Sequence, residues 1–393
     1  MKPLIVLLLL MRLTFDGVYS FDIAGKPVNG WISLTVIFLT AFSVFGRRTS
    51  FLGLATLFSL SLVASAFYGA NEWGMGTLDE AIRLISVLCF FYLAFNLSSA
   101  LQLSQIRLIL LTLAVFCGAI ETYQIIASQG LFVGSVWRFA GLMAHPNSAA
   151  LLYSIALLSV VEAIAARELT KSLAFAGIFI LFALTFTLSL SGILTFAISL
   201  FALVVFSDVQ RSSKVLAFLT AIIALAGLLL VPGVATRANL YANASVYLAD
   251  DQTNSLVWRL SHWEKLLPFF YQHPFFGLGY GSTTTGYVTG DGLYPHNEYL
   301  RILVETGLVG FLLFVILVLS LLRQLSRKIR NKGNHRIARL SIAILLGMLL
   351  NAITENTFTY TLPMFLLAAM LASSLKSSES GELAMSRQPG LAL

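Results

Sequence analysis

The residues best suited to chemistry lie at Tyr294-Pro295-His296-Asn297-Glu298, followed by Gly307 and Gly310. They sit where a long polar segment runs back into an apolar helix. Asn297 has the side chain of an N-cap, and Glu298 falls in the first turn of that helix. A histidine beside a helix N-terminus is disfavoured as imidazolium, and the free amides there attract phosphate oxygens. A neutral His296 can take a proton from a hydroxyl as that hydroxyl attacks. The alternative is that His296 only caps the helix at a membrane interface.

Arg259 is the second candidate, with Trp263 one turn later on the same helical face. An arginine at a membrane surface either clamps a diphosphate through paired hydrogen bonds or snorkels to the headgroups. The indole either stacks on a ligand or anchors in lipid. Arg138 precedes His145-Pro146-Asn147, which opens another helix on the same side. It is a candidate second clamp, and His145 reads as a cap. Arg301 and Glu305 are spaced i,i+4 with Glu298 on the same side, predicting an ion pair that lines a polar cavity. Gly307 and Gly310 suit close helix packing. Asn351, Glu355 and Asn356 read as caps at a helix end. Arg12 is a weaker candidate for anion binding.

The elements that position these residues are membrane helices. The chain is 58% hydrophobic and 11% charged, where a soluble domain carries about 25% charged residues. Its mean hydropathy is +0.86. Apolar runs predict an all-α polytopic membrane protein of about twelve transmembrane helices, at roughly 3–15, 31–45, 51–68, 82–98, 107–127, 148–166, 173–189, 192–206, 215–232, 299–322, 339–355 and 358–375. The first run reads as a retained helix rather than a cleaved signal. This divides the chain into a nine-helix portion 1–232, a large outer loop 233–298, a three-helix portion 299–375 and a tail 376–393. The tail's Ser, Gly and Pro predict disorder.

The outer loop is exceptional in length. Leu256, Leu260, Trp263, Leu267 and Phe270 recur at spacings of three and four, predicting an amphipathic helix over 256–271 that lies in the headgroup layer. Gly277-Leu278-Gly279-Tyr280-Gly281 after it reads as a flexible turn that brings backbone close to a ligand.

The net charge of +7 is a topology signal rather than a nucleic-acid signal. With both termini cytoplasmic, most basic residues fall on the cytoplasmic side, including the loop 323–339, as the positive-inside rule requires. Cys89 and Cys117 fall inside predicted spans and read as packing residues. There is no Walker loop, paired-cysteine zinc pattern or Gly-x-Ser-x-Gly elbow in the sequence. Neither a metal nor a cofactor is expected.

With these residues the sequence resembles the O-antigen ligase and O-antigen/exopolysaccharide polymerase superfamily. The resemblance lies in His296-Asn297, nine residues, then Gly307-x-x-Gly310; in Arg259 with an aromatic four residues on; in His273-Pro274-x-x-Gly277-x-Gly279; and in Arg138, Gly141 and His145-Pro146-Asn147. It implies a class C-like membrane glycosyltransferase, inverting and metal-independent, in the bacterial inner membrane. Such an enzyme moves a glycan from an undecaprenyl-diphosphate-linked donor to an acceptor hydroxyl at the periplasmic face. His296 then stands as the catalytic residue, and Arg259 and Arg138 as diphosphate-binding residues. Trp263, Asn297, Arg301 and Glu305 support them. Two departures stand out. Ligases usually place Leu where Trp263 stands. Another arginine is usual near the seventh–eighth hairpin, where this chain has Ser189-Leu190-Ser191-Gly192. Arg138 and Arg237 are the candidates to compensate.

Two acceptors follow from the resemblance. A ligase uses lipid A-core; a polymerase uses another lipid-linked glycan, with a possible chain-length regulator as partner. The competing class is a transporter or flippase of lipid-linked sugar. That reading calls for ionisable residues near mid-membrane and for internal repeats, and the sequence shows no convincing repeat.

Overall fold

The computed structural model describes residues 2–16, 22–23, 26–43, 50–97, 101–133, 136–207, 227, 231–242, 255–290, 292–330 and 335–386. Within them the chain is a helical assembly. Its longer helices are α1 (Lys2–Asp16), α2 (Val28–Ser43), α3 (Ser50–Trp73), α4 (Gly76–Leu97), α5 (Leu103–Ile126), α6 (Pro146–Ala165), α7 (Lys171–Phe186) and α8 (Leu190–Phe206). They continue with α9 (Pro232–Ala242), α10 (Ser255–Gln272), α11 (Glu298–Arg330), α12 (Arg336–Asn351) and α13 (Thr361–Ser386). Two small antiparallel ribbons complete the order. β1 (Asp22–Ile23) pairs with β2 (Lys26–Pro27), and β3 (Leu131–Val133) with β4 (Val136–Arg138), where Leu131 faces Arg138.

Among the described residues, four stretches are long and apolar enough to cross a membrane: Gly53–Trp73, Leu103–Ile126, Pro146–Ala165 and Glu298–Arg330. The chain is a multi-pass, all-α membrane protein. Helices lie at every expected span except 215–232, which falls largely outside the described residues.

One helix is central. The most apolar window of α6 is 83% buried, against 28% for α3. Its sequence is apolar or small all round, as a helix enclosed by others requires. The helices α5, α7, α8 and α12 pack around it. On the other side α4 carries α2, α3 and α13, and α3 packs on α11. The apolar core runs through both groups, from Leu9 and Phe58 to Leu151, Ile344 and Phe365.

Three expectations are corrected here. First, α13 continues through Ser386, so most of the expected disordered tail is helical; Glu382, Leu383, Ala384 and Met385 are good helix formers. Residues 387–393 lie outside the described residues. Second, α11 runs on to Arg330 and α12 starts at Arg336, so most of the expected basic loop 323–339 is helix.

Third, α10 covers the expected amphipathic helix but turns a different face inward. Arg259, His262 and Leu266 are buried, whereas Leu260 and Leu267 of the apolar stripe are exposed. Trp263 and Phe270 sit at the border, half-buried. The inward face is mixed: Arg259 meets the charged Glu355, and Leu266 packs into an apolar cluster with Leu278, Val288 and Val304.

Candidate active site

The site is assembled at the N-terminus of α11. Asn297 is the cap there, its Oδ1 accepting from the Leu300 amide at 3.0 Å. That start is fastened to the connection between α12 and α13. The Glu298 amide donates to the Ala352 carbonyl at 2.9 Å, the His296 amide donates to Asn356 Oδ1 at 2.8 Å, and Glu298 Oε1 accepts from the Phe358 amide at 3.0 Å. His296 itself has φ +51°, the left-handed region. Non-glycine residues seldom occupy it, and such strain persists only where surrounding contacts enforce it.

A second break in regularity fixes the helix. At Gly307 (φ 64°, ψ −169°) α11 is interrupted. Residues 274–279 run alongside the interruption: the Leu278 and Gly279 amides donate to the Val304 and Glu305 carbonyls, and the Leu308 and Val309 amides to the Pro274 and Phe275 carbonyls. A Cβ on Gly307 would lie 2.3 Å from the Phe275 carbonyl. The Gly277–Gly281 turn therefore brings its backbone close to helix backbone. Gly307 serves close packing by breaking the helix to admit a loop.

Glu355 occupies the centre, in the connection after α12, and is 1% exposed. Its Oε1 accepts from Arg259 Nη2 at 2.7 Å. Its Oε2 accepts from Asn147 Nδ2 at 2.7 Å and from the Tyr360 hydroxyl at 3.1 Å, and lies 3.3 Å from His296 Nδ1. Burial pushes this carboxyl up, yet Arg259 and then His296 outweigh it, and its pKa falls well below the ordinary value. Asn356 Nδ2 is also 3.3 Å from His296 Nδ1. One nitrogen cannot both donate to Glu355 and accept from Asn356. We assign the proton to Nδ1, because an ionised carboxylate is the stronger partner. Nε2 is then the basic nitrogen, as in other carboxylate–histidine pairs.

Arg138, at the end of β4, is buried at the α7–α8 hairpin. Its Nε donates to the Thr187 carbonyl at 2.9 Å and its Nη2 to Asn147 Oδ1 at 2.6 Å. Ser189 also donates to Asn147 Oδ1, at 2.9 Å. Asn147 thus links Arg138 to Glu355. His145 caps α6, its Nδ1 accepting from the Asn147 amide at 3.1 Å. Burial, and then Arg138, lower its pKa to about 3, so it stays neutral. Arg237 lies on α9, and its side chain falls outside what is described.

Trp263 is fixed by a hydrogen bond. Its indole donates to the Pro295 carbonyl at 2.6 Å, fixing the residue before His296. Trp258, which no sequence motif singles out, lies tilted against His262 at 4.8 Å and meets His296 edge-on at 5.7 Å.

Arg301 and Glu305 form the expected ion pair at 3.2 Å, and both are fully buried. Arg301 also reaches Glu80 at 3.0 Å and lies over the rings of Tyr280 and Tyr294. Tyr294 donates to Glu80 at 2.7 Å, and Arg83 donates to Tyr294 at 2.9 Å. This network pins the segment before His296 to α4. It is structural support, since a buried pair needs this many partners to offset desolvation.

A cavity of about 280 Å³, lined by polar and apolar groups together, opens beside His296. Arg12, Asp16, Arg83, Tyr294 and Tyr360 are on its walls, and Arg259 and Arg138 are not.

By fold and site this is a multi-pass membrane protein. It carries a carboxylate that holds a histidine and an arginine at the start of a helix. Residues 175–315 match the family model described as O-antigen ligase. A protein of Rickettsia conorii (strain ATCC VR-613 / Malish 7), named "Putative polysaccharide ligase", is 30% identical over 176 residues. The aligned part is 41% of this chain and 41% of that protein, so the chain spans less than half the length of the relative it matches. The similarity to the O-antigen ligase family is carried by residues 175–315. The family match takes in Arg259, Trp263, His296, Asn297, Arg301 and Glu305. Arg138 and Glu355 lie outside it.

Proposed function

We propose that the chain is a metal-independent, inverting glycosyltransferase of the O-antigen ligase type. It moves a glycan from undecaprenyl diphosphate to a hydroxyl of lipid A-core. The reaction takes place at the periplasmic face of the bacterial inner membrane, with both termini cytoplasmic. The large loop 233–298 supplies donor-binding and catalytic groups between the two membrane portions.

The observation that carries this reading is Glu355 holding Arg259 on one oxygen and His296 on the other. An acceptor hydroxyl attacks the anomeric carbon while His296 Nε2 takes its proton. The bond from that carbon to the diphosphate oxygen breaks on the opposite face, which inverts the configuration. The bond's electron pair leaves with the diphosphate. Arg259, with Arg138 and Arg237, neutralises that developing charge. Arg138 stands at the α7–α8 hairpin, where the family usually has another arginine. Glu355 fixes the imidazole tautomer and stabilises the imidazolium that forms.

The test is transfer by purified protein in nanodiscs, with EDTA and a lipid-diphosphate-linked glycan. Lipid A-core and a second donor molecule are the two acceptors offered. Glycan on lipid A-core, lost in His296→Ala, is the expected result. A ladder of longer lipid-linked glycans would identify a polymerase instead. No transfer to either acceptor by folded protein with matched substrates would favour a transporter.

A further inference from the structure

The cavity beside His296 has features that base catalysis does not explain. Ser148 is 1% and Asn29 9% exposed, and both line the cavity. Neither Ser148 Oγ nor Asn29 Oδ1 meets a hydrogen-bond partner among the described residues. Asn29 is held in place from its other end, its Nδ2 donating to the Phe15 carbonyl at 2.6 Å. Buried polar atoms without partners are rare and call for a ligand or a solvent molecule.

The charges around these atoms leave no positive surplus. Arg12 pairs with Asp16 at 3.9 Å and donates to Thr361 Oγ1 at 2.5 Å. Arg83 pairs with Glu80 at 2.9 Å, and Asp79 adds a further carboxylate to the lining. A seat for a diphosphate needs a surplus of positive charge, and this cavity has none. It offers hydroxyl, amide, carboxylate and guanidinium groups on its sides, with the rings of Tyr294 and Tyr360 between them. That mixture matches a polyol, which has donors and acceptors around its rim and apolar C–H faces. The volume falls near the lower end of small-molecule pockets, about 300 Å³, room for a sugar ring or two.

We infer that this cavity, walled by Ser148, Asn29, Arg12 and Tyr294, is a subsite for an uncharged sugar ring that presents a hydroxyl to His296. The inference deepens the proposed transfer reaction and rests on it for the role of that hydroxyl. The ring belongs to the acceptor glycan, either lipid A-core or a second lipid-linked repeat unit. Arg259 and Arg138 stay outside the cavity, so diphosphate and sugar occupy different places around His296.

The test measures binding, not transfer. Two lipid-free probes are titrated against the full chain in nanodiscs: the core oligosaccharide and the repeat-unit oligosaccharide. Pyrophosphate serves as a competitor. Ser148→Leu fills the cavity, and Asn29→Ala removes the second unpartnered atom without adding bulk. At least one oligosaccharide should bind wild type. Each variant should weaken that binding roughly tenfold or more, the scale of a lost buried hydrogen bond or an occupied ring site. Pyrophosphate should leave binding unchanged.

Weakened binding of the core oligosaccharide assigns the cavity to the acceptor of a ligase. Weakened binding of the repeat unit alone, with pyrophosphate neutral, assigns it to a lipid-linked glycan. Binding that both folded variants retain would overturn the inference, as would no binding of either glycan to wild type. So would displacement of the glycan by pyrophosphate. If Ser148→Leu does not fold, Asn29→Ala carries the same expectation alone. Glycan bound without any transfer in the nanodisc assay would sink the proposed reaction and leave the sugar subsite standing.

Discussion

Arg259 and His296 are held on the two oxygens of one carboxylate. Glu355 Oε1 is 2.7 Å from Arg259 Nη2, and Glu355 Oε2 is 3.3 Å from His296 Nδ1. The arginine comes from α10 and the histidine from the start of α11. The carboxylate comes from the connection before α13. Two groups with different proposed tasks, one meeting leaving-group charge and one taking a proton, therefore share a single electrostatic anchor.

Glu355→Gln keeps the shape and removes the charge. Transfer should fall by roughly a hundredfold or more, the scale of general-base catalysis, and in kcat rather than KM. The variant should also unfold more easily, by about 3–5 kcal/mol, because the buried Arg259 loses its counter-charge. Steady-state kinetics and thermal unfolding in the same detergent check both. Wild-type kcat in this variant would remove Glu355 from the proposed mechanism.

His145 gives a pH signature. Its pKa is lowered from 6.5 to about 3, with burial the main cause. The unfolded chain then binds a proton that the folded chain refuses, so stability falls as pH drops through that window. His145→Asn keeps an N-cap acceptor and removes the titration. Wild-type Tm should fall more steeply than the variant's between about pH 6.5 and 5. Parallel curves would show that His145 is not the titrating group.

Gly307→Ala places a Cβ 2.3 Å from the Phe275 carbonyl at a φ of 64°. Steric overlap with backbone and left-handed strain add, so a loss of about 2 kcal/mol or more is expected, with lower yield of folded protein. Gly53→Ala is the control, since a Cβ there meets nothing within 4 Å. On a helix it should be neutral or stabilising by about 0.5 kcal/mol. The comparison is read by thermal unfolding, and equal effects at both sites would contradict it.

Trp263→Phe removes the indole donor to the Pro295 carbonyl and keeps most of the ring. The hydrogen bond contributes about 1 kcal/mol. Because it positions the residue before His296, kcat should drop several-fold with KM little changed. A change confined to KM would point instead to direct contact with a substrate.

Much of this organisation was legible along the chain. Composition and apolar runs gave a multi-pass helical protein, because a helix that must bury or face lipid writes its whole length in apolar residues. Asn297 announced its helix start and His145 its cap, since capping is a contact between near neighbours. The i,i+4 pairing of Arg301 and Glu305 follows from helix geometry for the same reason. The orientation of α10 was not legible. Its apolar stripe suggested which side is buried, but Arg259 faces inward to Glu355, 96 residues further on.

Glu355 itself looked like a cap at the end of a span. One signal was available: a lone acidic residue between two apolar helices, followed by Asn356. The sequence by itself determined the residue types, the helices and the local caps, because those depend on neighbours within a turn or two. Only the tertiary structure decided the long-range pairings, because they depend on which helix ends meet. It brought Glu355 to His296, Asn147 between Arg138 and Glu355, and the Phe275 loop into the break at Gly307. It also left Ser148 and Asn29 facing one cavity.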